Sequence, residues 1–134
     1  MVLDGCCPSQ KQKSSLLPQL WQTAKGGNVM KLSTKQGKFT RMVALLILHA
    51  EQKGYMLTFG DVYRDKRCPY GHDKSLHKSR LAADFNLFDN GVYLAGEEAE
   101  TAHGELHDYW GMIGGADRIE HDLNHYSLAH EGMR

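Results

Sequence analysis

The chain has 134 residues, 41% of them hydrophobic, which suits one domain with a single core. Sixteen basic and sixteen acidic residues cancel to a formal charge of zero, leaving no basic stripe of the kind a nucleic-acid-binding protein needs. No apolar run approaches the ~20 residues of a membrane span, and Cys6, Cys7 and Cys68, an odd set with two adjacent members, do not read as a disulfide framework.

Residues 1–29 read as a leader or upstream extension, mostly mobile, with the domain proper over 30–134. Gln10-Lys-Gln-Lys-Ser-Ser15 and Lys25-Gly-Gly-Asn28 are linker-like. Leu16, Leu17, Leu20 and Trp21 form the one apolar patch there, and a short docked helix around Leu16–Thr23 is the alternative. Lys35, Lys38 and Arg41 precede the apolar stretch Met42–Leu48, but this is too short and too deep in the chain for a signal peptide. Synthesis and folding in the cytoplasm are therefore expected.

Ser33-Thr-Lys-Gln36 has the spacing of a capping box and predicts a helix start. Phe39, Met42, Val43, Leu46, Ile47 and Ala50 then recur at helical spacing as one apolar face, and Gly54 is the expected C-cap. Tyr55–Phe59 is a short β-rich run. Arg64 follows the aromatic Tyr63, and a solvated surface arginine is its plain reading. Leu81–Phe88 reads as a strand, Asp89-Asn-Gly91 as a type I′ hairpin turn and Val92–Ala95 as the returning strand. Asp84 would then sit on a rigid mount. Glu97–Trp110 is expected to be helical, with acidic residues at its positive end and Ala99, Ala102, Leu106 and Tyr109 or Trp110 buried. A glycine-rich loop, Gly111-Met-Ile-Gly-Gly115, leads into the C-terminal stretch.

Of the eight histidines, all but His49 lie at or after His72, a mild pointer to metal chemistry. Ser75-Leu-His-Lys-Ser-Arg-Leu-Ala-Ala-Asp84 offers an imidazole and a carboxylate, two good zinc donors, and a catalytic zinc takes three protein ligands. The best source of a third is Asp122-Leu-Asn-His125, where a carboxylate precedes a histidine. A rival set is His121 with His125 on a helix, echoing H-E-x-x-H with Asp122 as base, although Asn124–Ser127 resembles a turn entering a strand. His103 and His107 share a predicted helix but lack a third ligand, and a half-exposed face is the better reading. Cys68-Pro-Tyr-Gly-His72 lacks the partner cysteines of a structural zinc site, so Cys68 reads as a small buried residue.

In order, Ser-x-His-x-x-Arg-x-Ala-x-Asp and then Asp-x-x-His-Tyr resemble the zinc peptidases of peptidoglycan, the D-alanyl-D-alanine carboxypeptidases and the phage L-alanyl-D-glutamate endolysins. The resemblance runs from about Met30 to the end. It implies one Zn2+ held by His77, Asp84 and His125, with Asp122 as general base where the family often has glutamate. It also implies that Arg64 stabilises the substrate carbonyl or carboxylate. Ser75 matches a family serine that would bind substrate or orient the ligand loop, although a turn serine fits equally. Arg80 stands where the family often has glycine: either no positive φ is needed there, or this is a branch that uses arginine.

The expected fold is a small α+β domain, an antiparallel sheet with flanking helices carrying a mononuclear zinc site. The expected function is that of a monomeric phage-type endolysin, made in the host cytoplasm and acting on the wall after release. It would hydrolyse a peptidoglycan stem-peptide bond, L-Ala-D-Glu first and D-Ala-D-Ala second. Two rivals stand beside it: a catalytically silent zinc-binding recognition module, and an interaction protein whose histidines are incidental.

Overall fold

The computed structural model describes residues 29–134, so the expectations for 1–28, including the helix around Leu16–Thr23, lie outside the described residues. The chain divides into Met1–Lys31 and Leu32–Arg134, and every element below belongs to the second unit.

Helix α1 spans Leu32–Gln52 and buries Phe39, Met42, Val43, Leu46 and Ala50, with Ile47 packed beside them, as the apolar spacing predicts. The capping box does not form as expected. The helix begins at Leu32, which puts Ser33 inside its first turn. Gln36 reaches across the fold instead, its Nε2 donating to the Ser79 carbonyl at 2.9 Å. Water can serve an exposed helix-start amide, whereas a partly buried carbonyl needs a protein donor, and that demand decides where the side chain goes. At the other end Gly54 adopts φ 88°, the left-handed conformation that lets the chain reverse straight into β1, Tyr55–Phe59.

Strand β2, Ala82–Asp89, is the spine of the sheet. Strand β1 pairs antiparallel with its second half, from Phe59↔Phe85 to Tyr55↔Asp89. Asn90 and Gly91, at φ 47° and 79°, make the two left-handed residues of the predicted turn. The returning strand β3 is shorter than expected, Val92–Tyr93, because the next element, helix α2 (Gly96–Met112), begins three residues later. The last strand, β4, His125–Ser127, pairs with the first half of β2 through Ala82↔Ser127, Ala83↔Tyr126 and Asp84↔His125.

Alternation along β2 sends Phe85 and Leu87 into the core and Asp84 to the opposite face. On the core side Phe39 meets Trp110 edge-on at 5.8 Å between centroids, and Tyr126 packs on Phe85 and Trp110. Helix α2, Gly96–Met112, buries Ala99, Ala102, Leu106 and Trp110 as expected, with Trp110 the inner member of the aromatic pair. Its histidines correct an expectation: His103 and His107 are buried, not half-exposed. Both serve Tyr126. His103 Nδ1 lies 2.8 Å from the phenol oxygen, and the His107 ring stacks on the phenol ring at 4.2 Å. A buried phenol needs a polar partner, and α2 supplies it. Among the described residues no helix is long and apolar enough to cross a membrane. The result is a small α+β domain with an antiparallel sheet and two helices.

Candidate metal centre

A short 3-10 turn, Leu76–Ser79, delivers the first candidate ligand. It is closed by Lys78 N–H donating to the Ser75 carbonyl at 3.0 Å, and Leu81 N–H returns to the Leu76 carbonyl at 2.9 Å. Arg80 ends the turn at φ 56°, ψ 38°. This position does require the left-handed conformation, which explains why glycine would suit it. Arginine is held there by its guanidinium, 4.5 Å from the centre of the Tyr63 ring. Ser75 precedes the turn and makes no side-chain cap bond.

The turn aims His77 at Asp84. His77 Nδ1 lies 3.1 Å from the Val62 carbonyl oxygen, which can only accept, so Nδ1 carries a proton. Nε2 faces Asp84 Oδ1 at 3.3 Å, donating to it when the ring is charged and offering its lone pair when the ring is neutral. On the other side, residues paired across antiparallel strands share a face. That register carries His125 to Asp84, with His125 Nδ1 3.1 Å from Oδ1. The donor atoms of His77, Asp84 and His125 lie within 4.8 Å of one another, and this is the one group of potential ligands among the described residues.

Electrostatics tie the three together. Burial alone would raise the pKa of Asp84, but hydrogen bonds from His125 and His77 outweigh it and hold the carboxyl down at about 2. Burial would likewise lower that of His77, yet Asp84 and the Val62 carbonyl raise it. The carboxylate is thus ionised at neutral pH and draws positive charge towards itself, as a cation site requires.

Two of the three donor–donor edges are those of a small, tetrahedrally bound cation. Bonds of 2.0–2.2 Å in a tetrahedron imply donor–donor edges of about 3.3 Å. The two Asp84 contacts, 3.1 and 3.3 Å, match that edge. The His77–Val62 hydrogen bond is also the backbone tie that typically fixes the tautomer of a metal-binding imidazole. The geometry establishes a site able to hold a metal ion.

Asp122 stands just outside, with Oδ2 4.0 Å from His125 Nδ1 and its side chain half exposed. It lies in a tight turn: Asp122 N–H meets the Ile119 carbonyl at 3.2 Å, and His125 N–H meets the Asp122 carbonyl at 3.2 Å. The stretch is not helical, and His121, at φ 64° and almost fully exposed, points to Glu120. The rival His121–His125 site therefore does not form, because two histidines four apart share a face only on a helix.

Arg64 is mostly buried, paired with Asp61 through Nε and its terminal nitrogen, and stacked 4.9 Å from the centre of Tyr70. Its loop is stitched to the site. The Asp61 carbonyl accepts from Asp84 N–H at 2.8 Å, and Arg64 N–H reaches the His77 carbonyl at 3.3 Å. Cys68 is half-buried, not buried as expected, because its loop runs over the surface. Its carbonyl accepts from the buried Lys78 Nζ at 3.2 Å. His72 is exposed and accepts from Lys74 N–H at 3.0 Å, so this pair forms no metal site. Sequence reasoning missed Val62, Asp61 and Gln36, whose roles rest on a backbone carbonyl or on a contact distant in the chain. No family model matches this chain, and no curated protein matches it.

Proposed function

We propose that this protein is a zinc-dependent peptidase of the peptidoglycan stem peptide. The observation that carries the hydrolytic half is the His77–Asp84–His125 cluster with a free carboxylate, Asp122, 4.0 Å from it. Supporting the substrate class is the ordered motif resemblance, Ser75–Asp84 followed by Asp122–Tyr126.

A zinc ion held by these three ligands supplies Lewis acidity and a water acidified to a pKa of about 7. The protein's own groups do the rest. Asp122, half exposed and outside the donor triad, is available to take the proton of the attacking water on Oδ2 and return it to the leaving amine. Aspartate's shorter arm is offset by the tight turn that carries it close to His125. Arg64 is held by Asp61 against the ligand turn and presents positive charge to the substrate's carbonyl or carboxylate. Ser75, its hydroxyl uncommitted to the turn, is a further substrate contact. The bond favoured is L-Ala-D-Glu, with D-Ala-D-Ala second. On this reading the enzyme is a monomeric phage-type endolysin, made in a host cytoplasm and acting on the wall after release.

Zinc content and release of fragments from purified sacculi, measured together on wild type, His77→Ala, His121→Ala and Asp122→Asn, test this. Loss of metal with His77→Ala, retention with His121→Ala, and retained metal without turnover in Asp122→Asn are expected. Zinc bound by wild type without any fragment release would make the protein a binding module instead.

A further inference from the structure

Among the described residues, two buried side-chain atoms have no hydrogen-bond partner: His107 Nδ1 and His125 Nε2. Their chemistry is complementary. His107 Nε2 lies 2.9 Å from the Leu123 carbonyl oxygen, which only accepts, so Nε2 carries the proton and the orphaned Nδ1 of the neutral ring is a bare acceptor. His125 turns Nδ1 to Asp84 Oδ1 at 3.1 Å and to Asp122 Oδ2 at 4.0 Å. A nitrogen that binds metal must offer a lone pair, so in the loaded site the proton of His125 is on the orphaned Nε2. One orphan is a donor, the other an acceptor.

Packing brings them to the same stretch of chain. His107 stacks on Tyr126, the neighbour of His125, at 4.2 Å and 7° between planes. Its other contact, Leu123, lies between Asp122 and His125.

We infer that His107 is the outer-sphere partner of the metal ligand His125: its Nδ1 accepts the His125 Nε2–H across one water, the two atoms not being in direct hydrogen-bond contact, while its Nε2–H holds the Leu123 carbonyl. One imidazole thereby sets the tautomer of a ligand and the path of the backbone that carries Asp122. His107 is a positioning residue, and its role depends on His77, Asp84 and His125 being a metal centre. The His103–Tyr126 bond at 2.8 Å steadies the phenol on which His107 stacks.

Zinc titration of the full chain against a chelating competitor tests this. His107→Gln can still donate to Leu123 but leaves nothing at the Nδ1 position, and is expected to bind zinc about 10–100-fold more weakly than wild type. His107→Asn, with an amide oxygen near the Nδ1 position, is expected to recover most of that loss. A His107→Gln affinity equal to wild type in a folded protein would overturn the inference. Should the variants fail to fold, nitrogen-15 NMR of the zinc-loaded wild type decides: His107 and His125 both protonated at Nε2 only is the expected result. Protonation of His107 at Nδ1 overturns it. Wild type that takes up no zinc would remove the metal centre itself, a failure seen before any variant is compared.

Discussion

Asp84 and His125 are register partners across β2 and β4, and the pairing sets His125 Nδ1 3.1 Å from Asp84 Oδ1. A ligand pair built on paired strands is held by backbone hydrogen bonds on both sides, so its spacing does not depend on side-chain order alone. The third ligand arrives on a 3-10 turn stitched to the same strand, and the geometry has consequences that can be measured.

Above neutral pH, metal-free and zinc-loaded protein should respond to pH in opposite directions. The Asp84 carboxyl is held at about 2, below its ordinary 3.8, so it stabilises the metal-free fold above the usual carboxylate range and this is lost as pH falls through 2. His77 is raised above 6.5, so its contribution is complete below 6.5 and disappears as pH rises through its folded value. Burial holds His103 at about 4 and lowers His107, so both add stability above 6.5 that is lost as pH falls below it. Metal-free protein is therefore most stable near neutral pH, where the opposing trends meet. Zinc needs both imidazoles unprotonated at their binding nitrogens, so its stabilising effect should grow from pH 5 to 8. Thermal melts with chelator and with zinc read both trends. A metal-free Tm that climbs from pH 7 to 8 would sink this account.

Arg80 separates backbone strain from side-chain contact. Arg80→Gly and Arg80→Ala both lose the stacking on Tyr63, but only alanine stays strained at φ 56°. Glycine should be the more stable of the two by about 1 kcal/mol. Denaturant titration of the pair measures it, and equal stabilities would mean the turn relaxes out of the left-handed region.

Gly115→Ala should be severely destabilising, by about 3 kcal/mol. An added Cβ would fall 2.0 Å from Trp110 Nε1, which now donates to the Ser127 carbonyl at 2.8 Å. Either the indole or β4 must move, and β4 carries His125. Zinc affinity should fall along with the denaturation midpoint, and a fully stable Gly115→Ala protein would contradict this packing.

Gly71→Ala should uncouple turnover from metal binding. Its Cβ would fall 2.2 Å from a terminal nitrogen of Arg64, at a backbone φ of 78° that already disfavours alanine. Arg64 is displaced while His77, Asp84 and His125 keep their contacts, so zinc content should hold and fragment release from sacculi should drop about tenfold or more. Unchanged turnover would take Arg64 out of the substrate site.

Helix α1, the strand at Leu81–Phe88 and the Asn90-Gly91 turn were legible in the sequence because each depends on local chemistry: helical spacing, alternation, or two residues tolerant of positive φ. The ligand triad was legible as a pattern of donor types in order. Only the tertiary structure brought His125 across 41 positions to Asp84, took His121 out of the site and buried His103 and His107 under Tyr126. It also sent Gln36 to Ser79 and gave Arg80 its left-handed backbone. The physical reason is common to all of these. Periodicity declares which face of an element is apolar, but a buried donor or acceptor must be matched by whatever group the fold places beside it, and that neighbour is usually far away in the chain.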